Sequence, residues 1–291
     1  MRKILLIIIT FIAFLSSCSH QTVQKTHNRE LGYDENIKCR YYIEKSFKRS
    51  ISLADKRKFE DFDIKGGIVP HHLLADDLIA SFFKTVSRET PELLIILAPN
   101  HKNVGDYKVS TCYSSWETPY GLLTADITMA KSLVSEKGAG LNRKILEEEH
   151  SISSLIPYIK YYMPDCKVIP ILLHGDYSLE NSIELGGYIS HLVTGKRYLI
   201  LASVDFSHYL TGEAADKMDD ISLEAIKKRD LKQIRQMNND NMDSPPSIIT
   251  LLSAMNTLNA DRFSLLEHSN SDRISGTKAK ETTSYFTMVF Y

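Results

Sequence analysis

The run Glu92-Leu93-Leu94-Ile95-Ile96-Leu97-Ala98 decides the fold. A continuous apolar stretch of this length suits a strand buried on both faces, whereas a strand with one wet face would alternate. Upstream, Gly66 to Pro70 reads as a strand and Leu73 to Ser87 as the helix that follows it. Downstream, Tyr107 to Tyr113 is another strand candidate. His150 to Met163 carries Ile152, Leu155, Ile156, Ile159 and Met163 on one helical stripe, with Pro157 predicting a kink. Lys167 to Leu173 and Arg197 to Ala202 are two further buried strands, joined by a helical stretch from Leu179 to Val193. Mostly helical segments follow His208, and Arg262 to Glu267 and Ser284 to Tyr291 close the chain as strands. Alternating strands and helices predict an α/β domain with a mostly parallel central sheet and helices on both faces. Sites in such sheets form beyond the carboxyl ends of the strands.

Those strand ends carry the chemistry. The first is followed by Pro70-His71-His72, the second by Pro99-Asn100-His101, and the strand from Arg197 by Ser203-Val204-Asp205-Phe206-Ser207-His208. Three strands thus deliver imidazole or carboxylate to one rim, and a divalent ion needs several such groups from different elements. A lone histidine after a strand is ordinary; the convergence is what matters. His20, His27, His174, His191 and His268 lack it and read as tether, loop or surface. There is no G-x-S-x-G elbow, no Walker-type loop and no G-x-G-x-x-G fingerprint; Gly66-Gly67 and Gly186-Gly187 have the wrong context.

The chain has 291 residues, 43% hydrophobic and 24% charged, enough for a substantial core. With 35 Lys and Arg against 36 Asp and Glu, it has no electrostatic footprint for nucleic acid. Arg2 and Lys3 precede an apolar run, Ile4 to Leu15, which ends in Leu15-Ser16-Ser17-Cys18. The run is short for a membrane span and has the order of a secretory signal. It resembles a bacterial lipoprotein signal: residues 1–17 as signal peptide, Cys18 as the lipidated residue, 18–39 as a flexible tether and 40–291 as the folded domain. The protein would then be exported and lipid-anchored on the periplasmic or extracellular side of a bacterial membrane. Cys39, Cys112 and Cys166 form no C-x-x-C pair, so no cysteine-based zinc site is legible.

Six segments in order carry a family resemblance: PHH at 70–72, LAPNH at 97–101, TPYGLLTAD at 118–126, EHSISSLIPYI at 149–159, VIPILL at 168–173 and SVDFSHY at 203–209. Together they resemble the Memo family (mediator of cell motility, AmmeMemoRadiSam system protein B), over about Gly66 to Met242. The resemblance implies a fold similar to class III extradiol non-haem iron dioxygenases and a pocket that binds iron or copper. It makes His71 and His101 metal ligands, and places Asp205, His208 and His150 in the pocket. Family members supply a cysteine in a later segment, where this chain has Asn241-Met242-Asp243-Ser244.

Asp243 in place of the cysteine changes the expected donor set. Two histidines and a carboxylate suit non-haem Fe(II), while a thiolate favours a softer ion such as copper(I). The competing reading makes Asp243 the N-cap of the helix begun by Pro245-Pro246. The first motif also departs: His72-Leu73-Leu74 stands where the family continues A-G-Y, leaving His71 and His72 as alternative ligands. Trp116 reads as packing in the loop Ser114 to Tyr120, and Glu147 to Glu149 as a solvated acidic run. One functional expectation is a metal-dependent enzyme of the redox or oxygenase type, with His71, His101 and Asp243 on Fe(II) and with His208, oriented by Asp205, as acid or base. The other is a non-catalytic module that uses the same pocket to hold a metal, a small molecule or a peptide.

Overall fold

The computed structural model describes residues 35–55, 63–277 and 280–291. The expected signal peptide, Cys18 and most of the expected tether lie outside these residues. In chain order the elements are β1 (Ile37–Lys38), α1 (Glu44–Ala54), β2 (Gly66–Val69), a 3-10 turn (Leu73–Ala75) leading into α2 (Asp76–Val86), β3 (Leu93–Pro99), β4 (Val109–Thr111), β5 (Trp116–Thr118) and β6 (Gly121–Leu123). Then come α3 (Ile127–Lys137), β7 (Gly140–Leu141), α4 (Arg143–Glu148), α5 (His150–Ser153), α6 (Ile156–Tyr162), β8 (Lys167–Leu173), α7 (Leu179–Leu192), β9 (Tyr198–Ser203) and β10 (Phe206–Leu210). The chain closes with α8 (Gly212–Lys228), α9 (Leu231–Arg235), α10 (Pro245–Thr257), β11 (Phe263–Asn270), α11 (Ser271–Ser275) and β12 (Thr282–Phe290).

The main sheet runs β10-β12-β2-β9-β3-β8-β4-β7, with β11 added to β12. Its centre, β2-β9-β3-β8, is parallel; β12 and β4 join it antiparallel on either side. A parallel centre requires crossovers that carry helices over both faces, and β3 shows the consequence. Leu93, Ile95 and Leu97 belong to one core with α7 and α10, through Leu185, Ile189, Ile248 and Leu252. Leu94, Ile96 and Ala98 belong to the other with α1, α2 and α6, through Phe47, Phe82, Phe83 and Ile156. The unbroken apolar run of β3 is thus two alternating faces, both covered.

Three details differ from expectation. Ile37 is buried and its strand pairs with β5, so the fold begins before Arg40; the short polar stretch hides a single apolar anchor. Pro157 does not kink a long helix: α5 ends at Ser153 and Pro157 sits in the first turn of α6, where a missing N–H costs nothing. Trp116 is fully buried in β5 as part of the core under α6.

The Gly186-Gly187 pair shows how tightly one face is packed. A Cβ on Gly186 would stand 2.5 Å from the Thr250 carbonyl oxygen and 2.6 Å from Ser253 Cβ, whereas one on Gly187 would meet nothing within 4 Å. Gly186 is therefore where α10 lies against α7. Gly186→Ala is expected to lower stability by about 1–3 kcal/mol through overpacking. Gly187→Ala, one residue away, is expected to be neutral or to stabilise by up to about 1 kcal/mol through helix propensity. Urea unfolding midpoints of the two variants check the contrast, and equal effects would remove the close-approach explanation.

Candidate metal centre

Strand register builds the centre. Val69 of β2 lies opposite Ser203 of β9 in the parallel pair. His71 and Asp205, each two residues further on, therefore leave adjacent strands side by side, and the His71 N–H donates to Asp205 Oδ1 at 3.0 Å. On the other side of β9, Leu97 of β3 lies opposite Ala202, which brings His101 to the same rim. Asp243 arrives from the segment before α10, which runs antiparallel to residues 205–208. Its N–H donates to the Asp205 carbonyl at 3.0 Å, Ser207 N–H to Asn241 at 3.0 Å, and His208 N–H to Asn239 at 2.8 Å.

Asp243 does not cap α10: Ser244 is the N-cap residue and makes no side-chain cap bond. Asp243 Oδ2 instead accepts from the Asp205 N–H at 3.3 Å and lies 3.3 Å from His71 Nε2 and 3.5 Å from His101 Nε2. Its second oxygen, Oδ1, is buried with no hydrogen-bond partner among the described residues.

The other ring nitrogens are tied off. His101 Nδ1 is 2.8 Å, and His150 Nδ1 3.1 Å, from the same oxygen, Glu149 Oε1. Glu149 Oε2 also accepts the His101 N–H at 3.0 Å. His71 Nδ1 is 3.1 Å from Ser203 Oγ, whose own proton is directed to the Ser151 carbonyl. A carboxylate can only accept, and so can a hydroxyl whose proton is committed elsewhere. These partners assign a proton to each Nδ1, leaving three Nε2 lone pairs for the interior in the neutral rings. The His101 and His150 rings stack at 4.4 Å and 17°, and the His71 ring stands nearly perpendicular to both, 5.2 Å from each. Ligand atoms of His71, His101 and His150 lie within 4.8 Å of one another, as do those of His71, Asp205 and Asp243. Such a donor set can hold a metal ion. The bare Asp243 oxygen fits the same conclusion, since a buried acceptor without a donor is costly and a cation would satisfy it.

The electrostatics follow from burial against partners. Burial opposes charge on His71, but the Asp205 and Asp243 carboxylates outweigh it and hold its pKa above the ordinary value. His101 is pushed up to about 10: burial opposes, and hydrogen bonds to Asp243 and Glu149 prevail. Burial works against ionisation of Asp243 and Glu149 too, yet the facing imidazoles hold both far below the usual carboxylate range.

Other residues fall differently from the sequence reading. Of the His71-His72 pair, His71 faces the cluster, while His72 Nδ1 is 2.6 Å from the Tyr285 hydroxyl. Successive residues in an extended segment diverge in this way. Burial, with neighbouring imidazoles, lowers the His72 pKa. Asp205 accepts the His71 N–H through Oδ1, and its Oδ2 lies 3.6 Å from His71 Nε2. His208 Nδ1 is buried without a hydrogen-bond partner among the described residues. Glu149 is the residue that sequence reasoning missed. It is 7% exposed and caps α5 through the Ser151 N–H, so it is no part of a solvated run. An acid directly before a histidine at a helix start was the available signal. Glu147 pairs with Arg40 and Arg143, and only Glu148 of the three is exposed. His268, read as a surface residue, is half-buried, stacks on Phe286 at 4.2 Å and pairs with buried Asp219 at 2.8 Å. His174 is buried at the end of β8. Cys39, Cys112 and Cys166 are free thiols.

Comparison with known proteins gives this geometry a family context. The model of the Memo-like protein family matches residues 33–289. A MEMO1 family protein of Methanosarcina acetivorans is 30% identical over 244 residues, covering 80% of this chain and 88% of the relative. One from Pyrobaculum aerophilum is 28% identical over 235 residues, covering 78% and 83%. Among solved structures, an uncharacterized protein from Escherichia coli K12 superposes with a TM-score of 0.53 at 9% identity, covering 78% of this chain and 99% of that one. That likeness supports the α/β fold. The family match over nearly the whole described fold settles membership: the chain belongs to the Memo-like protein family.

Proposed function

We propose that this chain is a metal-dependent protein of the redox or oxygenase type, holding Fe(II) through His71, His101 and Asp243. The observation that carries this reading is the Asp243 carboxylate, with one oxygen 3.3 and 3.5 Å from two imidazole Nε2 atoms and the other buried without a donor. Two histidines and one carboxylate form the facial set of non-haem iron sites. Bound Fe(II) would supply open coordination positions for a substrate and dioxygen. Around it, Ser203 and Glu149 fix the ring orientations of His71 and His101 from behind. The His150 side chain, 44% exposed, is the imidazole most open to solvent in the cluster and would carry protons in and out. His208 is proposed as a further acid or base, and Asp205 as the residue that steadies His71.

A cavity of about 120 Å³ lies against the outer side of His101 and His150, walled by Tyr41, Val104 and Ile145 with Lys102 at its edge. It would seat a small molecule or a single peptide side chain, and it supports the alternative of a non-catalytic metal- or peptide-binding module. Export and anchoring through Cys18 remain part of the proposal. If they hold, Cys18→Ala moves the protein from the membrane to the soluble fraction of its host; unchanged membrane association would remove the anchor.

Two measurements test the metal site. Loaded anaerobically with Fe(II), the full-length chain is expected to retain about one iron, and His101→Ala to lose on the order of 100-fold or more in affinity. No iron in the wild type would end the oxygenase reading. Substrate-dependent oxygen uptake then separates the enzyme from the binding module.

The second measurement is pH dependence without metal. His101, raised from its usual 6.5 to about 10, contributes stability that is full below pH 6.5 and is lost as pH rises toward 10. Glu149, held below its usual 4.5, contributes stability present above pH 4.5 and lost in acid. The metal-free chain should therefore be most stable between about pH 4.5 and 6.5. Iron must displace the His101 proton, so affinity should rise with pH, by roughly tenfold per unit for one proton displaced. Calorimetry in buffers of different ionisation enthalpy reads the released proton.

A further inference from the structure

The parallel strands that end at the metal centre begin at a second cavity, at the opposite end of the sheet. Glu92, Cys166 and Arg197 immediately precede β3, β8 and β9, and all three line an open cleft of about 320 Å³. The sheet holds its floor: the Glu92 and Leu93 N–H groups donate to the Arg197 carbonyl at 2.9 and 3.2 Å, and the Lys167 N–H to the Glu92 carbonyl at 3.0 Å. The cleft is therefore preformed, and its size matches the lower end of small-molecule sites, roughly 300–1,000 Å³. Thr90 at its rim follows the short 3-10 turn Ser87–Glu89 with φ 44° and ψ 54°, a left-handed conformation. Glycine is the usual occupant of such a position. A β-branched residue is strained there, and Pro91 behind it favours an extended neighbour instead. Strain of this kind marks a residue held in place for another reason. Here the Thr90 hydroxyl accepts from Arg197 Nη1 at 3.0 Å, while Arg197 Nη2 stands 3.9 Å from Glu92 Oε2. Thr90 thus fixes the direction of a guanidinium that has further donors to offer.

The lining decides the class of ligand. It carries charges of both signs, Arg197 against Glu92 and Asp165. An ion of either sign would meet a like charge there. A neutral molecule rich in hydroxyls would not, because each hydroxyl can donate to a carboxylate or accept from the guanidinium. Ser87 Oγ gives its own proton to the Lys84 carbonyl at 3.0 Å, which leaves it an acceptor for one more such hydroxyl. Tyr162 and Pro164 add apolar surface of the kind that the C–H face of a sugar ring covers. We propose that this cleft is a saccharide-binding site for a mono- or disaccharide. Arg197 donates to the sugar, Glu92 and Asp165 accept from it, and Thr90 is the positioning residue for Arg197. The site lies outside the metal centre and does not depend on it.

The test is calorimetric titration of the full-length chain with glucose, N-acetylglucosamine, maltose and cellobiose, and with glutamate and lysine as charged comparisons. Wild type should bind at least one of the sugars with a Kd of about 10 mM or tighter. Arg197→Ala should weaken that binding by about tenfold or more, the loss expected for hydrogen bonds from a charged donor. The Arg197 side chain is 65% exposed, so its removal should leave the urea midpoint in place. Thr90→Gly should also weaken binding, by about threefold or more, while its urea midpoint holds or rises, because glycine adopts a positive φ without strain. A purely structural Thr90 would move the midpoint and leave the affinity alone. Absence of sugar binding to wild type, or binding that Arg197→Ala leaves unchanged, would overturn the site. Preference for glutamate or lysine over every sugar would overturn the saccharide class. Unchanged affinity in Thr90→Gly would remove the positioning role.

Discussion

The register of three neighbouring parallel strands is the constraint on which the centre depends. β2, β9 and β3 are hydrogen-bonded side by side and end at one height, so the residues just past each end meet. Nothing local to His71, Asp205 or His101 would bring them together; His71 and Asp205 are 134 residues apart in sequence. The register is held because both faces of the strands are buried. Slipping β3 by one residue would exchange Leu93, Ile95 and Leu97 with Leu94, Ile96 and Ala98 between two differently shaped cores. The apolar packing that makes the sheet stable is the same packing that aligns the donors, and α10, pressed onto α7 at Gly186, carries Asp243 in from the third direction.

Placing so many ionisable groups at a buried rim is costly unless each has a partner. The chain meets this by using each polar group twice. Glu149 caps α5, accepts the His101 backbone N–H and holds two imidazoles. Ser203 closes β9 and holds His71. Asp205 accepts the His71 N–H while its own backbone pairs with the Asp243 segment. Removing the Glu149 carboxylate alone would strand the Ser151 and His101 N–H groups and the Nδ1 of two imidazoles.

The central strands and the motifs at their ends were legible in the sequence because burial on both faces writes a continuous apolar run, and Lys167 to Leu173 matches β8 residue for residue. The edges were less legible. β4 shrank to Val109–Thr111 and β1 was read as tether, because two or three residues with one apolar anchor leave no periodicity. At the centre, His71, His101 and Asp243 were reachable as candidates, but the choice between His71 and His72 needed the strand direction. Glu149 was misread because an acidic run looks the same whether one member turns inward or none does. Asp205 and His208 are close in sequence, but the Asp205 carboxylate accepts from His71 and His208 Nδ1 has no hydrogen-bond partner among the described residues.

By the family resemblance a cysteine is expected where this chain has Asp243, and such a change of donor type alters the centre. A cysteine buried at this point would bring a polarisable sulfur, and its thiolate would favour a soft ion. The carboxylate instead adds a second anion beside Asp205, and the two flank His71 together. Two buried negative charges want two positive charges, which protons on His71 and His101 or one divalent cation can supply. That requirement is visible in the raised pKa values of both histidines. In the proposed centre, protons and a divalent cation would therefore compete for the same Nε2 lone pairs, and the cation's advantage would be that it neutralises both carboxylates at once. In the proposed ligand set, the charge that Asp243 brings, more than the shape of the pocket, would decide which ion the centre prefers.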